Sequence, residues 1–114
     1  MLYGISNCDT VRKARNWLQQ QAIEYAFVDI RKQPLSNKQI EGWLQQVDWE
    51  QLLNRRSTSW RQLSADERNS VDKTNVGALL LQHPTLIKRP VLSHQQQLLI
   101  GFNESIYQQQ LGKL

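Results

Sequence analysis

Residues 1–30, MLYGISNCDTVRKARNWLQQQAIEYAFVDI, contain the clearest evidence for the fold class. MLYGI (1–5) is an apolar run that ends at a polar turn, and IEYAFVDI (23–30) is rich in β-branched and aromatic residues, so both predict strands. The segment between them has helical spacing. A strand, a helix and a second strand in this order favour a right-handed crossover and a parallel strand pair.

The intervening helix is predicted from Thr10 to Ala22. One face of it is apolar, with Trp17 beside the stripe. Its members are Val11, Ala14, Leu18 and Ala22. Either Asp9 or Thr10 is expected to cap the helix, because both side chains can accept a hydrogen bond from a free backbone N–H.

From Ser36 to Pro84 the chain is almost entirely helical in pattern. Ser36 is a good cap for the first of these helices, NRRSTSW (54–60) is predicted to be a polar loop, and Pro84 stops the last helix. No Gly/Ser/Pro-rich linker flanks the segment. We therefore expect one domain over residues 1–114, with a helical insertion at about 35–84 and a core at about 1–31 and 85–114.

After the insertion, the pattern returns to strands. Two apolar runs, Val91-Leu92 and Leu98 to Ile100, flank a polar turn at residues 94–97, which predicts a hairpin. A final helix capped near Asn103 follows, with apolar side chains available for packing at Ile106, Tyr107 and Leu111. This element order predicts an α/β fold of thioredoxin type, with a four-stranded mixed sheet.

The composition fits a single soluble domain. The chain has 114 residues, of which 39% are apolar and 21% charged, and it has neither an apolar run of membrane-spanning length nor a signal-peptide pattern. One cysteine permits no internal disulfide, so the cytoplasm is the expected compartment. The sequence shows no large apolar stripe that would be exposed, so a monomer is expected.

The net charge of +4 agrees with either a nucleic-acid partner or an acidic small molecule. The basic residues are scattered, and the tryptophans lie beside apolar neighbours at helical spacing. These are Trp17, Trp43, Trp49 and Trp60. We interpret them as packing residues, so nucleic acid is the disfavoured partner.

Cys8 lies at the junction of the first strand and the first helix. A thiol reacts as its thiolate, and free N–H groups at a helix start, with Arg12 and Lys13 one turn further on, favour that form. The alternative interpretation is a small buried apolar residue, the usual fate of a lone cysteine. The strand–turn–helix location favours the reactive thiol.

The residue three positions after Cys8 is Val11, so this chain lacks the Cys-x-x-Cys pair of a dithiol reductase. Any catalytic cycle must therefore use one thiol, and a thiol from another molecule must resolve the covalent adduct. Glutathione is the abundant cytosolic candidate, and its carboxylates suit a basic cleft. We expect it as a co-substrate rather than as a bound cofactor.

Arginines in two segments are candidate anion ligands. Arg89 precedes Pro90 at a strand entry and carries a planar fork suited to carboxylates and oxyanions, while Arg55 and Arg56 lie in the polar loop. The alternative for all three is a solvated surface arginine. The histidines, His83 and His94, have no partners at metal-ligand spacing, so no metal site is expected.

Three separated blocks, YGISNCDTVRKARNWL (3–18), LLNRRSTSWRQL (52–63) and HPTLIKRPVL followed by LIGF (83–92 and 99–102), together resemble the arsenate reductase-like (ArsC/Spx) family. The similarity is greatest to its small YffB-type branch and covers nearly the whole chain. It implies a thioredoxin-like fold with an inserted helical subdomain.

The resemblance also implies roles for individual residues. Cys8 is the catalytic nucleophile at the start of the first helix, and Arg89 lies beside it, with Pro90 in the cis form. The loop arginine of the family corresponds to Arg56, with Arg55 as the alternative register. The residues expected to bind glutathione or the substrate are therefore Arg12, Arg56, Arg89 and Pro90.

Arsenate reductases of this family have a further arginine after the Arg-Pro pair, and SHQQQLLIGF (93–102) contains none. This departure makes arsenate the disfavoured substrate. Resemblance to the YffB-type branch, together with the single cysteine, implies a glutathione-dependent thiol/disulfide reductase that acts on a disulfide-containing or oxyanion substrate. Two alternatives stay open. One is an Spx-like regulator that binds RNA polymerase, although such proteins generally use a Cys-x-x-Cys switch; the other is arsenate reduction.

Overall fold

The computed structural model describes residues 1–112 of the chain, which form two compact units. The first unit comprises residues 1–33 and the described residues from 89 onward, and the second comprises Pro34–Lys88. In chain order the elements are β1 (Leu2–Gly4), α1 (Asp9–Gln20), β2 (Phe27–Asp29), α2 (Asn37–Gln46), α3 (Trp49–Leu52), α4 (Thr58–Gln62), α5 (Ala65–Ser70), α6 (Val76–Gln82), a 3₁₀ turn (Pro84–Leu86), β3 (Val91–His94), β4 (Gln97–Ile100) and α7 (Glu104–Leu111).

The first unit is built on a four-stranded mixed sheet with the strand order β2-β1-β3-β4. Strands β1 and β2 are parallel, while β1 with β3 and β3 with β4 are antiparallel. Tyr3 of β1 pairs with Val28 on one side and with Val91 on the other. The β-α-β start, the hairpin and the α/β thioredoxin-like class predicted from the sequence are confirmed.

The core of this unit joins the sheet to α1 and α7. Its buried cluster consists of Leu2, Ala14, Trp17, Leu18, Leu92 and Tyr107. The Tyr107 ring meets Trp17 edge-on at 5.5 Å and Phe102 edge-on at 4.8 Å between ring centroids. Such aromatic pairs add about 0.5–1.5 kcal/mol each beyond the area that they bury.

Helix α1 ends earlier than the sequence predicts. Ala22 was expected on its apolar face, but Ala22 is exposed with a φ of 54°, and the Ile23 N–H donates back to the Leu18 carbonyl at 3.0 Å. This left-handed turn ends the helix, as in a Schellman motif. Strand β2 is likewise shorter than predicted, because Ile23 and Tyr25 pack against the core from an irregular segment.

The second unit consists of short helices. Two of them, α2 and α5, begin with complete capping boxes at Ser36–Gln39 and Ser64–Glu67. The largest part of its buried core comes from Ile40, Trp43, Leu52, Leu53, Val76, Leu80, Leu86 and Ile87. The prediction of a polar loop over residues 54–60 is wrong in its last part. The Ser57 hydroxyl caps α4, and residues 58–62 are helical.

Ile106 of α7 was expected to pack, but 47% of its surface is exposed, because Tyr107 is the α7 residue that enters the core. Among the described residues, no helix is both long enough and apolar enough to cross a membrane.

Candidate functional site

The turn after β1 delivers Cys8 to the start of α1. The Cys8 N–H donates to the Ile5 carbonyl at 3.2 Å, and the Arg12 N–H donates to the Cys8 carbonyl at 3.0 Å. Cys8 is therefore the N-cap of α1, and the expectation that Asp9 or Thr10 caps this helix was wrong. Asp9 instead occupies the first helical turn, where a carboxylate is favoured by the helix dipole.

The Cys8 side chain is half-buried and is not part of the core of the unit. It makes no capping hydrogen bond to the helix. The free N–H groups of a helix start favour negative charge close to them, which is the condition under which a thiol acts as a nucleophile. The position thus combines access from solvent with a location beside the free N–H groups of the first turn of α1.

Arg12 is paired with a neighbour on its own helix. Its guanidinium contacts the Asp9 carboxylate, and the two side chains are 61% and 84% exposed. An ion pair of this exposure contributes little to stability. Lys13 is exposed as well. A role for Arg12 in ligand binding stays a prediction.

Arg89 and Pro90 precede β3 directly. The Arg89–Pro90 peptide bond is cis, as the family resemblance implied. Pro90 is buried and its carbonyl accepts the Gly101 N–H at 2.8 Å, while Arg89 is half-buried. Because Val91 pairs with Tyr3, Pro90 comes at the carboxyl end of β1, from which the chain turns toward Cys8. The first unit therefore brings Cys8 and the Arg89–Pro90 pair to one end of its sheet.

Sequence reasoning missed a contact that supports this turn. The Ser6 hydroxyl donates to one oxygen of Asp29 at 3.4 Å, and the Arg31 N–H donates to the other at 2.9 Å. The Arg31 hydrogen bond, followed by those from Ser6, lowers the pKa of the Asp29 carboxyl. Asp29 ends β2, so the contact ties the turn before Cys8 to the neighbouring strand. Only the parallel pairing of the strands could have indicated it.

Arg55 and Arg56 belong to the second unit and differ in their surroundings. The Arg55 guanidinium lies 3.6 Å from a carboxylate oxygen of Glu50. It also lies 5.6 Å from the ring centroid of Trp49 and 5.8 Å from that of Trp60. The Arg56 side chain is exposed and has no hydrogen-bond or ionic partner within residues 1–112. Its role as a ligand stays a prediction.

Comparison with known proteins places this geometry in a family. The model of the ArsC family matches residues 3–110. The chain belongs to the ArsC family. An uncharacterised protein of Haemophilus influenzae is 45% identical to this ArsC-family chain over 107 residues, covering 94% of both proteins. The global transcriptional regulator Spx of Listeria monocytogenes is 30% identical over 105 residues, covering 90% of this chain and 79% of Spx.

Solved structures agree with this assignment. A YffB protein is 34% identical, with a TM-score of 0.91 and 96% of each chain covered. An arsenate reductase (ArsC) related protein from Brucella melitensis is 42% identical, with a TM-score of 0.76 and coverage of 96% of this chain and 91% of that one. The ArsC-family relatives thus include a regulator as well as proteins related to a reductase.

In the described part of this ArsC-family chain, no three His, Cys, Asp or Glu side chains are grouped as a metal site requires. The chemistry that the first unit offers is that of a single partly accessible sulfur with Arg89 at the same end of the sheet. Such an arrangement suits nucleophilic attack on an electrophilic sulfur carried by an anionic molecule.

Proposed function

We propose that this ArsC-family protein is a monothiol thiol/disulfide reductase that uses glutathione, with Cys8 as its nucleophile. The observation that carries the proposal is the half-buried thiol at the N-cap of α1, at the same end of the sheet as Arg89 and cis Pro90. If Cys8 and Arg89 had only structural roles, neither the half-burial of the thiol nor its location at the same end of the sheet as Arg89 would be required. A reducing cytoplasm is the compartment that we propose for this activity.

The reaction consists of two thiol–disulfide exchanges. The Cys8 thiolate attacks the glutathionyl sulfur of a mixed disulfide, a new S–S bond forms, and the substrate sulfur leaves as a thiolate that takes a proton from water. The thiolate of a second glutathione then attacks the Cys8 mixed disulfide. This step releases oxidised glutathione and regenerates Cys8, so that glutathione supplies both electrons.

Arginines hold the glutathionyl group in this proposal. Arg89 and Arg56 bind its carboxylates, with Arg12 contributing positive charge, and Pro90 borders the reacting sulfur. Arg56 is preferred to Arg55 because the Arg55 guanidinium is already engaged with Glu50 and two indole rings. Carboxylate binding by arginine is a charge-assisted interaction of defined geometry, which positions as well as binds.

The experiment is to incubate the protein with oxidised glutathione and to weigh it intact. We expect the mass of one glutathionyl group to be added to the wild type and no addition to Cys8→Ser. Release of the adduct by reduced glutathione, followed through glutathione reductase and NADPH consumption, completes the cycle. Absence of the adduct from neutral to mildly alkaline pH would contradict the proposal.

A second candidate is a regulator that binds RNA polymerase, because a relative that is 30% identical is the regulator Spx. The family resemblance associates such regulators with a Cys-x-x-Cys switch, and Val11 stands at the position of its second cysteine. A pull-down with RNA polymerase that succeeds equally with wild type and Cys8→Ser would favour this candidate over the reductase.

Arsenate is the third candidate, supported by the similarity to the arsenate reductase (ArsC) related protein from Brucella melitensis. The chain has no arginine after Arg89, which leaves an oxyanion with fewer guanidinium donors than the family pattern supplies. We expect turnover close to background in an arsenate assay coupled to glutathione and glutaredoxin. Robust turnover in that assay would make arsenate the substrate.

A further inference from the structure

The close contact between Gly4 and Val11 governs how α1 is seated on the sheet. A Cβ placed on Gly4 would lie 2.7 Å from Cγ2 and 3.1 Å from Cγ1 of Val11, well inside ordinary contact distance. Val11 is fully buried. Gly4 lies in a strand and its φ is not in the left-handed region, so the backbone itself accepts any residue here. The absence of a side chain at position 4 is therefore needed for space alone.

Neither partner in this contact can move freely. Gly4 lies in β1, an inner strand of the sheet, and its carbonyl accepts the Ile30 N–H at 2.9 Å. A valine in a helix is held in essentially one χ1 rotamer, so Val11 cannot swing its methyl groups away. A larger residue at position 4 would consequently displace the first turn of α1 rather than a flexible side-chain end.

That first turn includes the proposed nucleophile. The hydrogen bond from the Arg12 N–H to the Cys8 carbonyl at 3.0 Å closes the turn in which Val11 lies, so a shift of Val11 is transmitted to Cys8 through one helical turn. Displacement of a reacting group by about 1 Å can cost a factor of about 100 in rate. The packing of Val11 against Gly4 therefore also fixes the position of the Cys8 sulfur.

We propose that Gly4 is a positioning residue for Cys8, acting through Val11: the missing side chain at position 4 admits Val11 and so sets the height of the first turn of α1 above β1. This inference rests on the proposed function for its catalytic meaning. In the same position where a dithiol reductase carries its second cysteine, this chain therefore carries a residue that places the first one.

The test compares Gly4→Ala, Val11→Ala and the double variant with the wild type. Gly42→Ala is the matched control, because a Cβ on Gly42 of α2 meets nothing within 4 Å. Two rates are measured for each folded protein: alkylation of Cys8 by iodoacetamide, and formation of the mixed disulfide with oxidised glutathione. Thermal unfolding is recorded in parallel. Iodoacetamide is small and uncharged, so its reaction reports the thiol independently of any glutathione site.

We expect Gly4→Ala to slow both reactions about tenfold and Val11→Ala to slow them several-fold, since each change disturbs the seat of the turn. The double variant, in which the added methyl replaces the space that valine leaves, is expected to recover to within about threefold of wild type, because residues in contact are coupled rather than additive. Gly42→Ala should react like the wild type.

Additive losses in the double variant would overturn the proposal. So would a Gly4→Ala protein that melts at a lower temperature yet reacts at the wild-type rate, because a purely structural glycine behaves in that way. If Gly4→Ala does not fold, Val11→Ala and the double variant decide the matter by the presence or absence of recovery. A wild type that is alkylated but never glutathionylated would refute the proposed function, while the alkylation rates would still test Gly4.

Discussion

Helices α1 and α2 begin in different ways. At α2, the Ser36 hydroxyl accepts the Gln39 N–H at 3.1 Å and the Gln39 side chain accepts the Ser36 N–H at 2.9 Å. At α1, Cys8 occupies the cap and makes no such bond. The start of α2 is satisfied by its own side chains, whereas the start of α1 leaves backbone N–H groups beside a sulfur.

The start of α1 is therefore expected to be less stable than the start of α2. A serine, threonine or aspartate cap contributes about 1 kcal/mol relative to a residue that cannot accept a hydrogen bond. The chain uses serine caps at α2, α4 and α5 but places its single cysteine at the cap of α1. Departures from local stability rules of this kind are concentrated at functional positions.

The largest effect expected is that of Cys8→Ser, which converts the cap of α1 into the type of cap found at α2. Glutathionylation should fall to zero, because no other cysteine exists in the chain. The serine hydroxyl can accept a helix N–H, so the unfolding temperature should be equal to or higher than that of the wild type. Intact mass and thermal unfolding measure the two results. A clearly less stable Cys8→Ser would show that the sulfur is a packing element.

Substitution of the arginines should have the next largest effect. We expect Arg89→Lys and Arg56→Ala each to lower the rate of glutathionylation at limiting oxidised glutathione by about tenfold, since a planar fork or a charge is lost. Alkylation by iodoacetamide should be unaffected by either change. The rates are followed by intact mass over time.

Arg55→Ala is the matched control for the loop, because it removes an arginine that is already engaged with Glu50. Its rate should lie within about twofold of the wild type, since exposed ion pairs contribute little. A larger loss with Arg55→Ala than with Arg56→Ala would assign the ligand role to Arg55 instead.

At α2, we expect a substitution at the cap to lower stability without changing reactivity, the reverse of what we expect at α1. Ser36→Ala removes the hydroxyl that accepts the Gln39 N–H, while the backbone N–H at position 36 can still donate to the Gln39 side chain. The loss of this cap bond should lower the free energy of unfolding by about 1 kcal/mol. The rate of glutathionylation should not change. Denaturant unfolding measures the first result, with Ser105→Ala, an exposed serine of α7, as the control. A reactivity defect in Ser36→Ala would break the distinction between the two helix starts.

The smallest effect on stability at neutral pH is expected from substitution of Tyr107, a buried ionisable residue of the first unit. Burial raises the pKa of its hydroxyl well above the usual value of 10.0. The unfolded chain therefore releases this proton at about pH 10 while the folded protein retains it, and stability falls as the pH rises above that value. Below pH 10, Tyr107 makes no contribution to the pH dependence.

Tyr107→Phe should remove this alkaline decline, and it should cost little at pH 7, because the hydroxyl donates only a long hydrogen bond of 3.4 Å to the Gly101 carbonyl. Urea unfolding between pH 8 and about pH 11 measures the slope. An unchanged slope in Tyr107→Phe would show that another group dominates the alkaline transition.

Local patterns in the sequence predicted much of the fold. Ser36 and Asn103 are helix caps in the structure, and the hairpin turn lies at Gln95 and Gln96, both with positive φ. Each of these features depends on residues within a few positions of each other. Two of the errors lie at Ala22 and Ile106, where helical spacing indicated an apolar face but the turn geometry or the choice of core residue decided otherwise.

The candidate site was only partly predictable for the same reason. The sequence shows that Cys8 follows the first predicted strand and that Arg89 and Pro90 precede the first strand of the predicted hairpin. It contains no signal for Cys8 rather than Asp9 as the cap, nor for the bond from Ser6 to Asp29. These features arise from contacts between separate elements.

The order of strands and helices and the restriction of the chemistry to one thiol could be predicted from the amino-acid sequence, because periodicity, capping side chains and a missing second cysteine are properties of the linear chain. Two features follow from the three-dimensional packing and not from the linear pattern: Cys8 rather than Asp9 caps α1, and Val11 rests directly on Gly4. The physical reason is that these features depend on the close approach of a helix and neighbouring strands, where tenths of an ångström between packed atoms fix positions that local residue preferences leave open.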